Sequence, residues 1–132
     1  MPRLGAPSLA ALAEPGAFGH DDALGAWLAE QVRARTNLLI SGAAGAGKTT
    51  LLAALLAEAS ASDRIVTIED VAELRFEHPH HVSLEARQPN IEGAGEIGLA
   101  RLVREALRMR PDRLVVGECR GAEVRELLSA LN

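Results

Sequence analysis

Hydrophobic positions along much of this chain recur at the spacing of an amphipathic helix. Leu24, Trp27 and Leu28 lie three and four residues apart, after two aspartates that are able to cap a helix. The same spacing follows Lys48 and returns in two later stretches, the first of which ends at Pro111 because proline cannot continue a helix. The pattern predicts four helices, over about 21–35, 48–59, 97–109 and 124–131.

Short apolar runs between these helices are typical of buried strands. They predict strands over 37–41, 64–68 and 114–117, with a fourth near 82–84. Because strands alternate with helices, we expect an α/β fold with a mainly parallel sheet flanked by helices. We assign residues 20–132 to this domain and the Ala-, Gly- and Pro-rich residues 1–19 to a linker or the remnant of a preceding domain. The last helix has no Gly or Pro stop signal, so we expect a domain truncated at its C-terminus.

Composition and charge argue against a nucleic-acid-binding protein and against a membrane-spanning one. The chain has 132 residues, 48% of them hydrophobic and 24% charged, as in an ordinary globular domain. The net charge is −4 and 2% of the residues are aromatic, so we expect no nucleic-acid partner. No apolar stretch has the length of a membrane span, and the single cysteine, Cys119, fits a reducing compartment. We expect a cytoplasmic domain in which Cys119 is a small buried residue.

A glycine-rich loop joins the first predicted strand to the second predicted helix. Residues 42–49 have the pattern G-x-x-x-x-G-K-T, whose backbone N–H groups and following helix N-terminus bind the phosphates of ATP. Lys48, the only lysine among fourteen basic residues, would lie between the β- and γ-phosphates, and Thr49 would offer its hydroxyl to Mg²⁺. The predicted nucleotide-binding residues are Gly42, Ala43, Ala44, Gly45, Ala46, Gly47, Lys48, Thr49 and Thr50.

Acidic residues follow two other predicted strands, at the end of the strands where parallel sheets bind ligands. Glu69 follows the strand over 64–68, and Glu118 follows the strand over 114–117. ATP hydrolysis needs a carboxylate near the metal and another that orients the attacking water. We assign Glu69 to the water and Glu118 to the Mg²⁺ shell, through a water ligand. The alternatives are that Glu69 caps the next turn and that Glu118 is a surface acid paired with Arg120.

Several arginines are candidates for contacts with phosphate. Arg101, Arg104 and Arg108 lie on the polar face of the third predicted helix, three and then four residues apart. They form either a solvated face or arginine fingers that reach the γ-phosphate of a neighbouring subunit, and we include Arg104 and Arg108 among the candidate catalytic residues. Arg87 is a further candidate. Arg120 follows Glu118 so closely that we expect it to orient that carboxylate.

Taken together, these segments resemble the ATPases of type II and type IV secretion systems. The resemblance lies in the phosphate loop, in Thr-Ile-Glu-Asp at 67–70, in Leu-Arg-Met-Arg-Pro-Asp at 107–112 and in Val-Gly-Glu-Cys-Arg-Gly at 116–121. Pro-Asn-Ile-Glu-Gly at 89–93 is similar to the CpaF-like ATPases of Tad-type pili. The stretch from 104 to 121 is the most specific part. On this pattern Glu69 belongs to the acidic box of the family and Glu118 stands in the Walker B position.

The resemblance covers about residues 20–132 and implies more than a nucleotide site. It implies a RecA-like P-loop core, hydrolysis of ATP with Mg²⁺, a hexameric ring, and work on pilus or secretion platform proteins at the inner membrane. The family continues into a Gly-rich stretch with a His box and has an N-terminal domain that completes each site, so we expect this fragment alone to be inactive. The alternatives are a nucleotide-binding module without turnover, a RecA-like DNA motor and a small-molecule kinase.

Overall fold

The computed structural model describes residues 8–14, 16, 18, 19 and 22–131. The chain forms two compact units, Met1–Ala61 with Leu74–Pro79 and Ser62–Glu73 with His80–Asn132. None of the helices in the described part of the chain has the length and hydrophobicity of a membrane span. The elements in chain order are α1 (Leu9–Ala13), α2 (Asp22–Arg33), α3 (Lys48–Leu56), β1 (Ile65–Glu69), β2 (His81–Glu85), α4 (Leu99–Leu107), β3 (Arg113–Val116) and α5 (Glu123–Ala130).

The first unit is built from the helices α1, α2 and α3. Leu9 of α1, Val32 of α2 and Leu55 of α3 are buried against one another, and Ala29 and Ala54 allow the helices to approach closely. Removing side chains of this size from water stabilises the fold by about 1.5–3 kcal/mol each. This packing fixes α3, the helix that follows the glycine-rich loop. Trp27, which the helical pattern includes in the apolar face, is 53% exposed.

The second unit contains a three-stranded parallel sheet in the order β2-β1-β3. The central strand β1 is buried along its whole length, as expected for a strand with a neighbour on each side. Val66 and Ile68 of β1 pack against Val103 and Ala106 of α4, and all four residues are buried completely. The helix α4 therefore covers the sheet with the apolar face that its sequence pattern predicts.

An ion pair and a hydrogen bond align β1 and β3 where the two strands begin. Nε of Arg113 lies 2.7 Å from Oδ2 of Asp63, and Asp63 is 1% exposed. The backbone N–H of Arg64 donates to Oδ2 of Asp112 over 2.7 Å. These contacts fix the register in which Ile65 lies opposite Arg113, and so the two strands end side by side.

The fold class predicted from the sequence is confirmed, since the structure has a parallel sheet with helices. One predicted strand is wrong for this structure. Residues 36–43 have no regular secondary structure, and Leu38 and Leu39 are 43% and 91% exposed. A strand needs a neighbour for its backbone hydrogen bonds, and residues 37–41 have no strand pairing in the described part of the chain. The division into residues 1–19 and 20–132 stays a prediction.

Candidate functional site

The phosphate loop in the first unit is shaped by glycines. Gly45 and Gly47 have φ angles of 74° and 95°, in the left-handed region that a residue with a side chain rarely adopts. Gly47 directly precedes α3, whose N-terminus has no side-chain hydrogen bond as a cap. The first N–H groups of a helix have no partner within the helix. The exposed loop and α3 thus present backbone donors to an anion.

Lys48 folds back over this loop. Its Nζ donates to the carbonyl oxygen of Gly42 over 2.7 Å and to that of Ala43 over 2.8 Å. An ammonium group has three N–H donors, so one remains beyond these two contacts. The ammonium group of Lys48, at the end of the loop, is therefore hydrogen-bonded to the two residues that begin it. The side chains of the next two residues, Thr49 and Thr50, are exposed at the start of α3.

Glu69 lies at the end of β1 in the second unit and is 6% exposed. Its Oε1 accepts the backbone N–H of Glu73 over 3.0 Å. A Cβ atom at Gly117 would lie 2.9 Å from Cγ of Glu69, so the Glu69 side chain packs directly against the backbone after β3. The hydrogen bond to Glu73 is the turn-capping contact that the sequence left as an alternative for Glu69.

Glu118 lies just after β3 and forms an ion pair with Arg120. The side chain of Glu118 is 39% exposed and that of Arg120 is 81% exposed. The predicted contact between the two side chains is thus present, on the surface, where an ion pair stabilises a fold by at most about 1 kcal/mol. The backbone N–H of Gly117 donates to the carbonyl of Ile68 over 2.9 Å, which keeps the end of β3 beside the end of β1.

Glu123, which the sequence analysis did not select, is a third acidic residue of the second unit with defined contacts. It is the first residue of α5 and is 8% exposed. Its Oε1 accepts the N–H groups of Arg120 and Gly121 over 2.5 and 2.9 Å. Chiefly because of the hydrogen bond from Arg120, the pKa of Glu123 is lowered, although burial acts in the opposite direction. An acid at the start of a predicted helix was the available signal, because a helix N-terminus favours negative charge.

Cys119 departs from its prediction as a buried residue, since it is exposed. It lies in the short loop between β3 and α5, and such loops run over the protein surface. Partial burial of the thiol, and then the negative charge of Glu123, raise the pKa of Cys119. A raised pKa keeps the thiol protonated, and the thiol form is a poor nucleophile.

The candidate arginine fingers have partners within the second unit. Arg104 lies 3.0 Å from a carboxylate oxygen of Glu126, which joins α4 to α5. Arg108, which directly follows α4, lies 3.3 Å from Glu105 of that helix. Both arginines are more than half exposed, so these pairs belong to a solvated face. Their action on a neighbouring subunit stays a prediction.

The donor atoms present in each unit suit a magnesium nucleotide. Mg²⁺ prefers oxygen ligands, keeps several waters and takes only one or two protein ligands. Thr49 supplies an exposed hydroxyl in the first unit, and Glu118 supplies a partly exposed carboxylate in the second. Among the described residues no group of three or more His, Cys, Asp and Glu side chains could hold a metal ion. The chemistry therefore fits a metal that arrives with phosphate oxygens.

Comparison with known proteins gives a consistent set of similarities. The family described as "Type II/IV secretion system protein" matches residues 3–132. A protein of Mycobacterium tuberculosis, named provisionally as a conjugal transfer protein, is 59% identical over 124 residues, which are 94% of this chain and 35% of that protein. The type IV secretion system protein PtlH of Bordetella pertussis is 42% identical over 110 residues, which are 80% of this chain and 32% of that protein.

A solved structure has a similar fold. It is the VirB11 ATPase from the type IV secretion system of Brucella suis, in complex with sulphate. The identity is 34% and the TM-score 0.69, and the match covers 92% of this chain and 32% of that chain. The chain spans about a third of the length of these relatives.

Proposed function

Because the chain belongs to the type II/IV secretion system protein family, we propose that it is the ATP-binding and ATP-hydrolysing part of a motor that powers pilus assembly or protein secretion. The observation that carries this proposal is the phosphate loop, in which two carbonyl groups hold the ammonium of Lys48 beside an uncapped helix N-terminus. The name of the similar Brucella suis protein, an ATPase of a type IV secretion system, supports it.

The proposed role of the first unit is to bind the phosphates of ATP. The backbone N–H groups of residues 42–50 would surround the β-phosphate, as donors at a helix N-terminus do for other anions. Lys48 would transfer its hydrogen bonds from the two carbonyls to the β- and γ-phosphates. Thr49 would hold Mg²⁺, which when bound neutralises charge on the phosphates.

The proposed role of the second unit is hydrolysis. A carboxylate that orients water works best when its own direction is fixed. Glu69 meets this requirement, since it is buried and accepts a hydrogen bond from Glu73. Glu118, which Arg120 holds by its ion pair, would join the metal shell through a water.

At the level of the whole protein, the proposal is a hexameric ring at the cytoplasmic face of the inner membrane, acting on pilus or secretion platform proteins. The segment Pro-Asn-Ile-Glu-Gly at 89–93, which is similar to the CpaF-like ATPases, supports the Tad-type pilus group. In such a ring Arg104 and Arg108 would exchange Glu126 and Glu105 for the γ-phosphate of a neighbouring subunit. We expect no nucleic-acid partner.

One observation favours a second candidate, a nucleotide-binding module without turnover. Both carboxylates assigned to hydrolysis have contacts within the chain that suffice to explain their positions. Glu69 caps the backbone at Glu73, and Glu118 pairs with Arg120. A module of this kind would bind ATP through Lys48 and release it unchanged.

The deciding experiment measures ATP affinity and Mg²⁺-dependent ATP hydrolysis in the full-length protein and its variants. We expect Lys48→Ala to lose binding, and Glu69→Gln to keep binding and lose turnover. Arg33→Ala is the matched control for removing a cation from the first unit, because Arg33 is exposed and pairs only loosely with Glu58, over 3.6 Å. Glu85→Gln is the matched control for Glu69, because Glu85 is exposed and lies opposite Glu69 on β2.

The outcomes separate the two candidates. Binding without turnover in the unmodified full-length protein would support the module and contradict the motor. Normal turnover in Glu69→Gln would show that Glu69 does not orient the water, even if ATP is hydrolysed. Unchanged ATP affinity in Lys48→Ala would contradict both candidates.

A further inference from the structure

The loop at 117–122, between β3 and α5, carries two residues of the proposed hydrolytic site, Glu118 and Arg120. It has no regular secondary structure. Its backbone is nevertheless fixed at two points, because the N–H groups of Arg120 and Gly121 both donate to Oε1 of Glu123. The loop is thus folded around one carboxylate oxygen of the residue that begins α5.

The environment of Glu123 is unusual for an acid at a helix start. Charged side chains are rarely so fully covered unless they have partners, and Glu123 is 8% exposed. Hydrogen bonds to an ionised acceptor are about twice as strong as those between neutral groups. Glu126, one turn further along α5, is a contrast, because its side chain is 32% exposed and meets an arginine at the surface. Glu123 therefore binds the backbone of the loop, whereas Glu126 forms an ion pair that joins α5 to α4.

We propose that Glu123 is a positioning residue for the nucleotide site, which fixes the direction of the Glu118 carboxylate through the backbone of Arg120. The path has three steps. Glu123 holds the N–H of Arg120, this restricts where the Arg120 side chain starts, and the Arg120 guanidinium pairs with Glu118. The inference rests on the proposed function, because it takes Glu118 as part of the Mg²⁺ shell.

This path predicts a specific defect when Glu123 is replaced. Glu118 and Arg120 would keep their chemistry and lose a fixed direction. Binding of ATP itself, which we assign to the phosphate loop, would stay unchanged. The Mg²⁺ concentration needed for half-maximal hydrolysis would rise, because the carboxylate would no longer be held where the metal shell needs it. A residue with a purely structural role would lower the amount of folded protein and leave this concentration as it is.

The test uses the full-length protein with Glu123→Gln, Glu123→Ala and the control Glu126→Gln, which removes one charge from the same helix. Hydrogen exchange of the 117–122 amides reports the order of the loop, and hydrolysis as a function of Mg²⁺ reports its consequence. For Glu123→Ala we expect loop exchange about tenfold faster. The half-saturating Mg²⁺ concentration should be about threefold higher, which stays within the strength of the exposed ion pair between Arg120 and Glu118. Glu123→Gln keeps an acceptor and should lie between Glu123→Ala and wild type. Glu123→Gln also keeps the size of the side chain, so both measurements can be made on this variant if Glu123→Ala fails to fold.

Two results would overturn the inference while the proposed function stands. One is a loop whose exchange does not change in either variant. The other is faster exchange with wild-type Mg²⁺ dependence, which would make Glu123 a helix cap alone. An unmodified protein that shows no Mg²⁺-dependent ATP hydrolysis would overturn the proposed function and this inference with it.

Discussion

The phosphate loop of the first unit and the strand ends of the second each depend on a glycine, but for different physical reasons. Gly47 has a φ of 95°, and nothing lies within 4 Å of the position that its Cβ would take. Gly117 has no such left-handed φ, yet a Cβ there would lie 2.9 Å from Cγ of Glu69. Gly47 is thus required for its backbone conformation, and Gly117 is required for the space that it leaves.

The difference shows two ways of building a site. Left-handed glycines aim the backbone donors of the phosphate loop, which therefore tolerates alanine at the positions between them. The acidic side chain at the end of β1 is oriented by its own contacts. Glu69 packs against Gly117 and accepts a hydrogen bond from the backbone N–H of Glu73. A loop of the first kind is sensitive to dihedral strain, whereas a site of the second kind is sensitive to a single added methyl group.

The largest effect should come from the side chains that support the second unit. Asp63→Asn removes the negative charge that faces Arg113 in a place where the Arg113 side chain is 12% exposed. Breaking a buried ion pair in this way costs about 3–5 kcal/mol. We expect a loss of this size in the free energy of unfolding, measured with urea. Glu105→Gln, which removes an exposed pair with Arg108, should cost less than about 1 kcal/mol. Equal losses of unfolding free energy in Asp63→Asn and Glu105→Gln would show that the buried ion pair is no more important than the exposed one.

Gly117→Ala tests whether space is what this glycine supplies. Its Cβ would push against Glu69, and overpacking of this kind costs about 1–3 kcal/mol. The cost should nearly vanish when the same change is made beside Glu69→Ala, because the clashing Cγ atom is then gone. A double-mutant cycle on the free energy of unfolding measures this coupling. If the two changes are additive, the reason for Gly117 is not the Glu69 side chain.

Gly47→Ala tests the backbone argument in the first unit. Alanine at this φ costs about 1–2 kcal/mol, which corresponds to about a tenfold loss of ATP affinity if the loop leaves its conformation. Gly98→Ala is the matched control, because Gly98 also precedes a helix and has open space around it, but its φ is −83°. We expect isothermal calorimetry to find weaker ATP binding for Gly47→Ala alone. Similar affinities for the two variants would contradict the role of φ.

The smallest expected effect is a pH dependence at Glu123. The pKa of this carboxylate is lowered, first by the hydrogen bond from Arg120 and next by its own N–H group. A carboxylate whose pKa falls on folding stabilises the folded state above its ordinary pKa, and the contribution is lost as the pH falls through the lower, folded value.

We therefore expect wild type to be more stable than Glu123→Gln near pH 7. The difference in free energy of unfolding should shrink from about pH 5 downward, which is where an ordinary Glu begins to bind protons. Urea titrations between neutral and acidic pH measure it. A difference that grows on acidification would show that Glu123 is not stabilised as a carboxylate.

The sequence predicted those parts of the fold whose signal is local. Repeated spacing was enough for α3 and α4, and a β-branched run was enough for β1, because each pattern depends on neighbours along the chain. The apolar run at 37–41 has the same signal and yet forms no strand. Whether such a run pairs depends on the strand beside it, and a residue pattern contains no information on that.

The same distinction holds for the candidate site. Residues 42–49 form a continuous pattern and could be assigned directly. The hydrogen bonds of Glu123 depend on how the chain turns between Gly117 and α5, and the pair of Asp63 with Arg113 joins residues 50 positions apart. The first could not be inferred without the geometry of this turn, and the second could not be inferred without the register of β1 and β3. Turn geometry and strand register are decided by the tertiary fold, which is why these contacts appear only in the structure.

Because Lys48 already donates to the carbonyls of Gly42 and Ala43, the entry of a nucleotide under the proposed function would be an exchange of acceptors. The net gain is the difference between a phosphate oxygen and a neutral carbonyl as partner for the same ammonium. Hydrogen bonds between two charged groups are stronger than those to a neutral acceptor. A multiply charged phosphate chain would therefore replace the two carbonyls as the partner of Lys48. A nucleoside lacks phosphate, so it would offer Lys48 no acceptor stronger than the two carbonyl groups. Under the proposed function, the resting contact would thus make the loop selective for the charge of its ligand.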